Sequence, residues 1–188
     1  EPGNTAARAA LAQVYSAGGD NAAALAEAQG GAAADPEDAG IRILLAGYLI
    51  REGRAQEAVA AAAEAASLAP ENARAAAVHG AALLETGRAE EALAEFQRAH
   101  GIAPAQPEFL VQKARAEFAT NQLSLARQSL VSALALEPGY VPALFALVGV
   151  ERRDGRLDAA EQAFRRLENV VAAGDPRLEI LRGELLLA

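Results

Sequence analysis

The chain has 188 residues, 52% of them hydrophobic but only 4% aromatic, with no Cys, Met or Trp, a formal charge of −8 and a pI near 4.9. A backbone binder needs an excess of clustered cations to replace counterions, and 17 Lys and Arg against 25 Asp and Glu argue against nucleic acid as the main partner. The missing Cys removes disulfides, thiolate nucleophiles and Cys-ligated zinc, and no apolar run reaches the roughly 18 residues that span a bilayer.

Alanine accounts for 51 residues, so the apolar fraction favours helix and occupies little volume, as closely packed helices require. The chain starts on Glu1-Pro2-Gly3-Asn4, with neither Met nor a basic-then-apolar leader, and is expected to be a processed or excised piece. Prolines follow at Pro2, Pro36, Pro70, Pro104 and Pro138, each 34 residues after the last. The same spacing carries Gly19, Gly53, Gly87, Asn121 and Gly155, and also Ala24, Ala58, Ala92, Ala126 and Ala160. A fourth series of small residues or Val is Ala12, Ala46, Gly80, Ala114 and Val148. Four series sharing one period define repeats at 5–38, 39–72, 73–106, 107–140 and 141–174.

Each repeat is expected to hold two helices. The Gly or Asn separates stretches such as Ile41–Ile50 and Ala55–Leu68, so it marks a helix end that needs a left-handed residue. The proline ends the second helix, where its missing N–H does least harm. Asp35, Glu71, Asn72 and Asp175 lie near helix starts as candidate caps. The small series lets paired helices approach, with Leu11, Leu45, Leu147, Phe96, Leu130 and Phe164 filling around it. Ala28 and Ala62 replace bulk in the first two repeats, and Gly30-Gly31 inside a helix costs on the order of 2 kcal/mol relative to Ala. The N-terminal repeat is therefore expected to open first.

With His79-Gly80, Leu83, Gly87, Ala92, Phe96, Ala99 and Pro104, the third repeat resembles the tetratricopeptide pattern, and the resemblance covers essentially the whole chain. His79 and Lys113 depart from it at the seventh position, and Glu117 and Glu151 at the eleventh. The resemblance implies an all-α fold: an α-solenoid forming a right-handed superhelix of antiparallel helix pairs, five repeats plus one extra helix at 175–188, with a concave groove lined by the first helices. Glu1–Asn4 fits the end of a preceding repeat and Asp175–Ala188 the start of a sixth, so the expectation is one array, 1–188, cut from a longer one.

Mapped onto this sequence, the family's groove positions give a peptide-binding strip of Ile43, Ile50, Leu84, Val111, Phe118 and Phe145, ending in Arg115, Arg152 and Arg153, which would meet an acid. The competing reading packs these residues against neighbouring repeats and pairs the arginines with Glu108 and Glu151. The carboxylate clamp of chaperone-binding members is missing, since its places hold Ala9, Gln13, Ile43, Gly47, Ala77 and Ala81. The asparagine ladder of glycosyltransferase superhelices is missing too, its places holding Ala10, Leu44, Val78, Gln112 and Ala146.

No catalytic, metal or cofactor set is expected. His79 reads as a packed core histidine, His100 as a surface one, Lys113–Glu117 as a helical pair worth a few tenths of a kcal/mol if exposed, and Glu90-Glu91 as a helix start. The expected function is a scaffold or adaptor that binds a protein or peptide in a bacterial multiprotein system. The alternatives are a homo-oligomer formed through the terminal segments Glu1–Asn4 and Leu178–Leu187, and the recruiting segment of a larger enzyme. Ala126–Leu136, the run Glu137–Leu144, Glu151–Arg156 and Arg182–Leu187 resemble bacterial envelope lipoproteins of exopolysaccharide production and of sorting by a C-terminal Pro-Glu-Pro signal. Similar repeats occur in cytoplasmic adaptors, which leaves the compartment open between cell envelope and cytoplasm.

Overall fold

The computed structural model describes residues 4–172 and 174–186. Pro2, which begins the proline series, and the terminal residues 1–3, 187 and 188 lie outside the described residues, as does Ala173. The described residues form eleven helices and no strand, an all-α, solenoid-like fold. The first helices of the five repeats start at Thr5, Ala39, Ala73, Pro107 and Val141, and the second helices at Asn21, Ala55, Ala89, Leu123 and Leu157, each set stepping by 34 residues. The chain divides into two compact units, Glu1–Ile102 and Ala103–Ala188.

The first unit holds α1 (Thr5–Ala17), α2 (Asn21–Ala34), α3 (Ala39–Arg51), α4 (Ala55–Leu68), α5 (Ala73–Glu85) and α6 (Ala89–Ile102). Every helix packs on the next, and the first helices of successive repeats also touch, α1 on α3 and α3 on α5. Side chains start several helices: Asn4 accepts from Ala7 N–H, Asp20 from Ala23 N–H, Asp38 from Gly40 and Ile41, and Asn72 from Arg74 and Ala75. Asn72 caps as expected. Asp35 does not cap a helix start; it accepts from Glu37 N–H in the turn, because Asp38 holds the place directly before α3. α4 and α6 have an arginine before the first turn instead, and Arg54 and Arg88 grip Glu57 and Glu91 at 2.6 Å.

The core of this unit is largely alanine. Ala12, Ala24, Ala28, Ala46, Ala58, Ala61 and Ala62 are buried together with Ile41, Tyr48 and Leu49. Where bulk is present, a glycine makes room for it. A Cβ on Gly80 would stand 2.8 Å from the buried ring of Phe96, and one on Gly31 would stand 2.7 Å from Ile41 Cγ1. Gly31 is thus an accommodation for Ile41 as well as a cost in helix propensity.

The second unit holds α7 (Pro107–Ala119), α8 (Leu123–Leu136), α9 (Val141–Arg153), α10 (Leu157–Glu168) and α11 (Pro176–Leu186). α7 packs on α8 and α9, α8 on α9, α9 on α10, and α10 on α11. Its core is bulkier: Leu110, Leu130, Leu134, Leu144, Leu147, Val148, Val150, Phe164, Leu167 and Leu178 are buried together. Asp175 stands directly before α11, and the Arg177 guanidinium and backbone N–H hold its carboxyl down to about 2.

The five series residues between paired helices all adopt the left-handed conformation: Gly19, Gly53, Gly87 and Gly155 at φ of 71° to 83°, and Asn121 at 60°. The N–H after each donates to a carbonyl five residues back, as from Asp20 to Tyr15 (2.9 Å) and from Gln122 to Glu117 (2.7 Å). This satisfies the open carbonyls of the helix end and turns the chain into its partner helix.

Two carboxylates lie inside the second unit. Glu117, 2% exposed, accepts from the Ser129 hydroxyl at 2.7 Å and sits 3.3 Å from Lys113 Nζ. The Lys113–Glu117 pair is therefore buried at its acidic end, because the eleventh repeat position faces the partner helix. Glu151 accepts from Arg127 Nε at 2.9 and 3.0 Å and lies 3.6 Å from Arg156, while Arg127 also reaches Asp154. These bonds tie α8 to α9 and raise the Arg127 pKa, chiefly through the bond to Glu151.

Candidate first-helix binding faces

In each unit the first helices of successive repeats run side by side, so groove positions from neighbouring repeats fall next to one another. In the first unit α3 and α5 supply Ile43, Ile50 and Leu84, all half-buried. Ile43 packs against Ala65, Ala66 and Ala75, and Ile50 against the alanine core. The small side chains around them leave part of each aliphatic surface open. Arg51 stacks over Tyr48 at 5.9 Å and donates to Ser16 Oγ at 2.6 Å, which links α3 to α1.

In the second unit α7 and α9 supply the other six residues. Val111 is buried in the core and contributes packing rather than open surface, since α7 and α9 close over it. Phe118 and Phe145 are half-buried, each with one face on the core. Each ring also carries a guanidinium: Arg153 over Phe118 at 5.1 Å and Arg177 over Phe145 at 5.3 Å. Arg152 pairs with Glu184 of α11 at 3.1 Å rather than with Glu108 or Glu151, and its Nε is buried without a hydrogen-bond partner among the described residues. Arg115 is exposed and donates to Gln112 at 2.9 Å. This face therefore offers aromatic carbon lidded by cations, of which Arg177 is itself held by the Asp175 carboxylate through Nε and Nη2.

The motif positions missed Arg177 and Glu184, which belong to α11. Their partners lie 32 residues back in sequence, and only the packing of α11 brings them to α9. Of the two histidines, His79 is half-buried, its Nδ1 3.4 Å from Glu95 but enclosed without a hydrogen-bond partner among the described residues. His100 is half-buried, with Nδ1 enclosed and unpartnered among the described residues, in place of the expected surface position. Glu90 and Glu91 are exposed in the first turn of α6. Among the described residues no helix is long and apolar enough to cross a membrane.

None of the curated proteins compared with the chain matches it. Among solved structures, a thermophilic TPR protein of Thermus thermophilus is similar at a TM-score of 0.87 and 22% identity, over 98% of this chain and 100% of its own. PilW, a widely conserved type IV pilus biogenesis factor, gives 0.88 at 22% identity over 97% of this chain and 84% of its own. YrrB, a TPR protein with an unusual peptide-binding site, gives 0.68 at 16% identity over 94% and 90%. The tetratricopeptide repeat family model matches residues 9–73, 48–107 and 111–176. Helix phasing, left-handed turns and this match agree, and the chain belongs to the tetratricopeptide repeat family.

Proposed function

We propose that the chain is an interaction scaffold whose first-helix faces bind a peptide or an extended segment of a partner protein. The observation that carries this reading is the pair of half-buried rings in the second unit, Phe118 and Phe145, each covered by an arginine and neither enclosed in the core. Contiguous apolar surface rimmed by polar groups marks interaction sites, and ring faces left open beside arginines suit such a surface. The half-buried aliphatics Ile43, Ile50 and Leu84 give the first unit a second, weaker surface. Family membership supports the same reading, and likeness to a pilus biogenesis factor and to a peptide-binding repeat protein is consistent with a bacterial multiprotein assembly, with a cell-envelope one included.

Peptides selected from a random library on the immobilised chain test the reading. A photo-crosslinking residue at Leu84 or Phe118 should capture the selected peptide, and one at Glu57 or Glu161, on exposed faces of second helices, should not. Capture at the second helices alone would overturn it.

A further inference from the structure

The first-helix face of the second unit has two features that its own packing does not use. One is Gly149. Phe145, Gly149 and Arg153 stand four residues apart in α9, so they follow one another along one face at a rise of about 6 Å each. A glycine in mid-helix lowers helix stability, and Gly31 and Gly80 offset that cost by admitting Ile41 and Phe96. Gly149 admits nothing: a Cβ there would meet no packing neighbour within 4 Å. Between Phe145 and Arg153, α9 therefore presents bare backbone to an open notch.

The other feature is the charge of Arg153. Its guanidinium lies exposed 5.1 Å over the Phe118 ring and makes no hydrogen bond or ion pair among the described residues. The acids of its own helix, Glu151 and the flanking Asp154, are bonded to Arg127, while Glu184 holds Arg152 and Asp175 holds Arg177. Stacking on the ring keeps the planar fork in place, so a carboxylate that docks on it immobilises little further.

We infer that the peptide taken by this face is an acidic one. Its backbone crosses α9 at Gly149, and an Asp or Glu side chain forms a bidentate pair with Arg153. A neighbouring apolar side chain covers the open part of Phe118 or Phe145. The inference rests on the reading of the first-helix faces as peptide-binding surfaces. Charge complementarity favours the second unit for such a ligand. Residues 1–102 carry seven Lys and Arg against fourteen Asp and Glu, whereas residues 103–188 carry ten against eleven, so the second unit repels an anion less. In the first unit Gly47 and Arg51 occupy the repeat positions of Gly149 and Arg153, but Arg51 already donates to Ser16 Oγ at 2.6 Å.

Peptides selected from a random library on the immobilised chain, and sorted by photo-crosslinking at Phe118, are the probe. They should be enriched in Asp or Glu next to Leu, Ile or an aromatic residue. In fluorescence anisotropy, Arg153→Gln should weaken the tightest of them about tenfold or more, and replacing the peptide's acid by its amide should do the same. The two changes together should cost little more than either alone. Arg153→Lys, which keeps the charge without the fork, should lose less than Arg153→Gln. Gly149→Leu fills the notch and favours helix, so binding should fall by a similar factor while the unfolding midpoint holds or rises. Capture at Leu84 alone, capture at Phe118 of peptides with no excess of acid, or an affinity indifferent to Arg153→Gln would each overturn the inference and leave the proposed function standing. Capture at neither first-helix face would overturn both.

Discussion

The two units solve one packing problem with different side chains. In the first, helices are held together over alanine, and where a large residue enters, as Phe96 or Ile41 does, a glycine opposite gives way. In the second, leucine, valine and phenylalanine fill the space and two buried carboxylates are bonded into it. A 34-residue repeat therefore specifies where helices begin, end and touch, but not what fills the space between them. Alanine packing buries less apolar area per helix, at roughly 25 cal/mol per Å², so the first unit has the smaller hydrophobic stabilisation.

The sharpest way to break this comparison is native-state hydrogen exchange. α1 buries only Ala12, with Leu11, Val14 and Tyr15 all exposed, so amides of α1 and α2 should exchange through the lowest-energy opening and those of α8 and α9 through the highest. Equal protection from end to end would abolish the distinction. Next in size is Leu144→Ala in the second unit. Leu144 is fully buried, and its loss should cost about 2–5 kcal/mol in denaturant unfolding, against about 1 kcal/mol for Ala62→Gly in the first. A smaller effect is expected at Gly80→Ala. Helix propensity favours the change, but the new methyl meets the Phe96 ring, and the net should be a loss of about 1–2 kcal/mol. Adding Phe96→Leu should recover most of that loss, as required if the two residues share one space.

Much of the fold was legible because helix ends depend on local chemistry. Asn121 illustrates the point: it takes the left-handed turn that glycine takes in the other repeats, and Asn tolerates that conformation best among non-glycine residues. Caps were harder to read, since Asp35 and Asp38 are both plausible and only the residue next to the first helical turn can serve. The strip of groove positions was legible as a set of places, but not its electrostatics. The packing reading paired Arg152 with Glu108 or Glu151, and it meets Glu184 of α11. Glu117 was read from its i,i+4 spacing to Lys113, and the Ser129 hydroxyl that completes its burial comes from α8. Packing between helices decides such partners, and periodicity within one helix does not report it.

Two half-buried rings under arginines in the second unit stand against open aliphatics in the first, and under the proposed function the rings carry the stronger binding. Calorimetric titration of a library-selected peptide into the chain and its variants tests this most directly. Phe118→Ala with Phe145→Ala should weaken binding by about 2 kcal/mol or more, and Ile43→Ala with Ile50→Ala by less than about 1 kcal/mol. Unchanged affinity in the phenylalanine variant, with its helical content and unfolding midpoint retained, would contradict it.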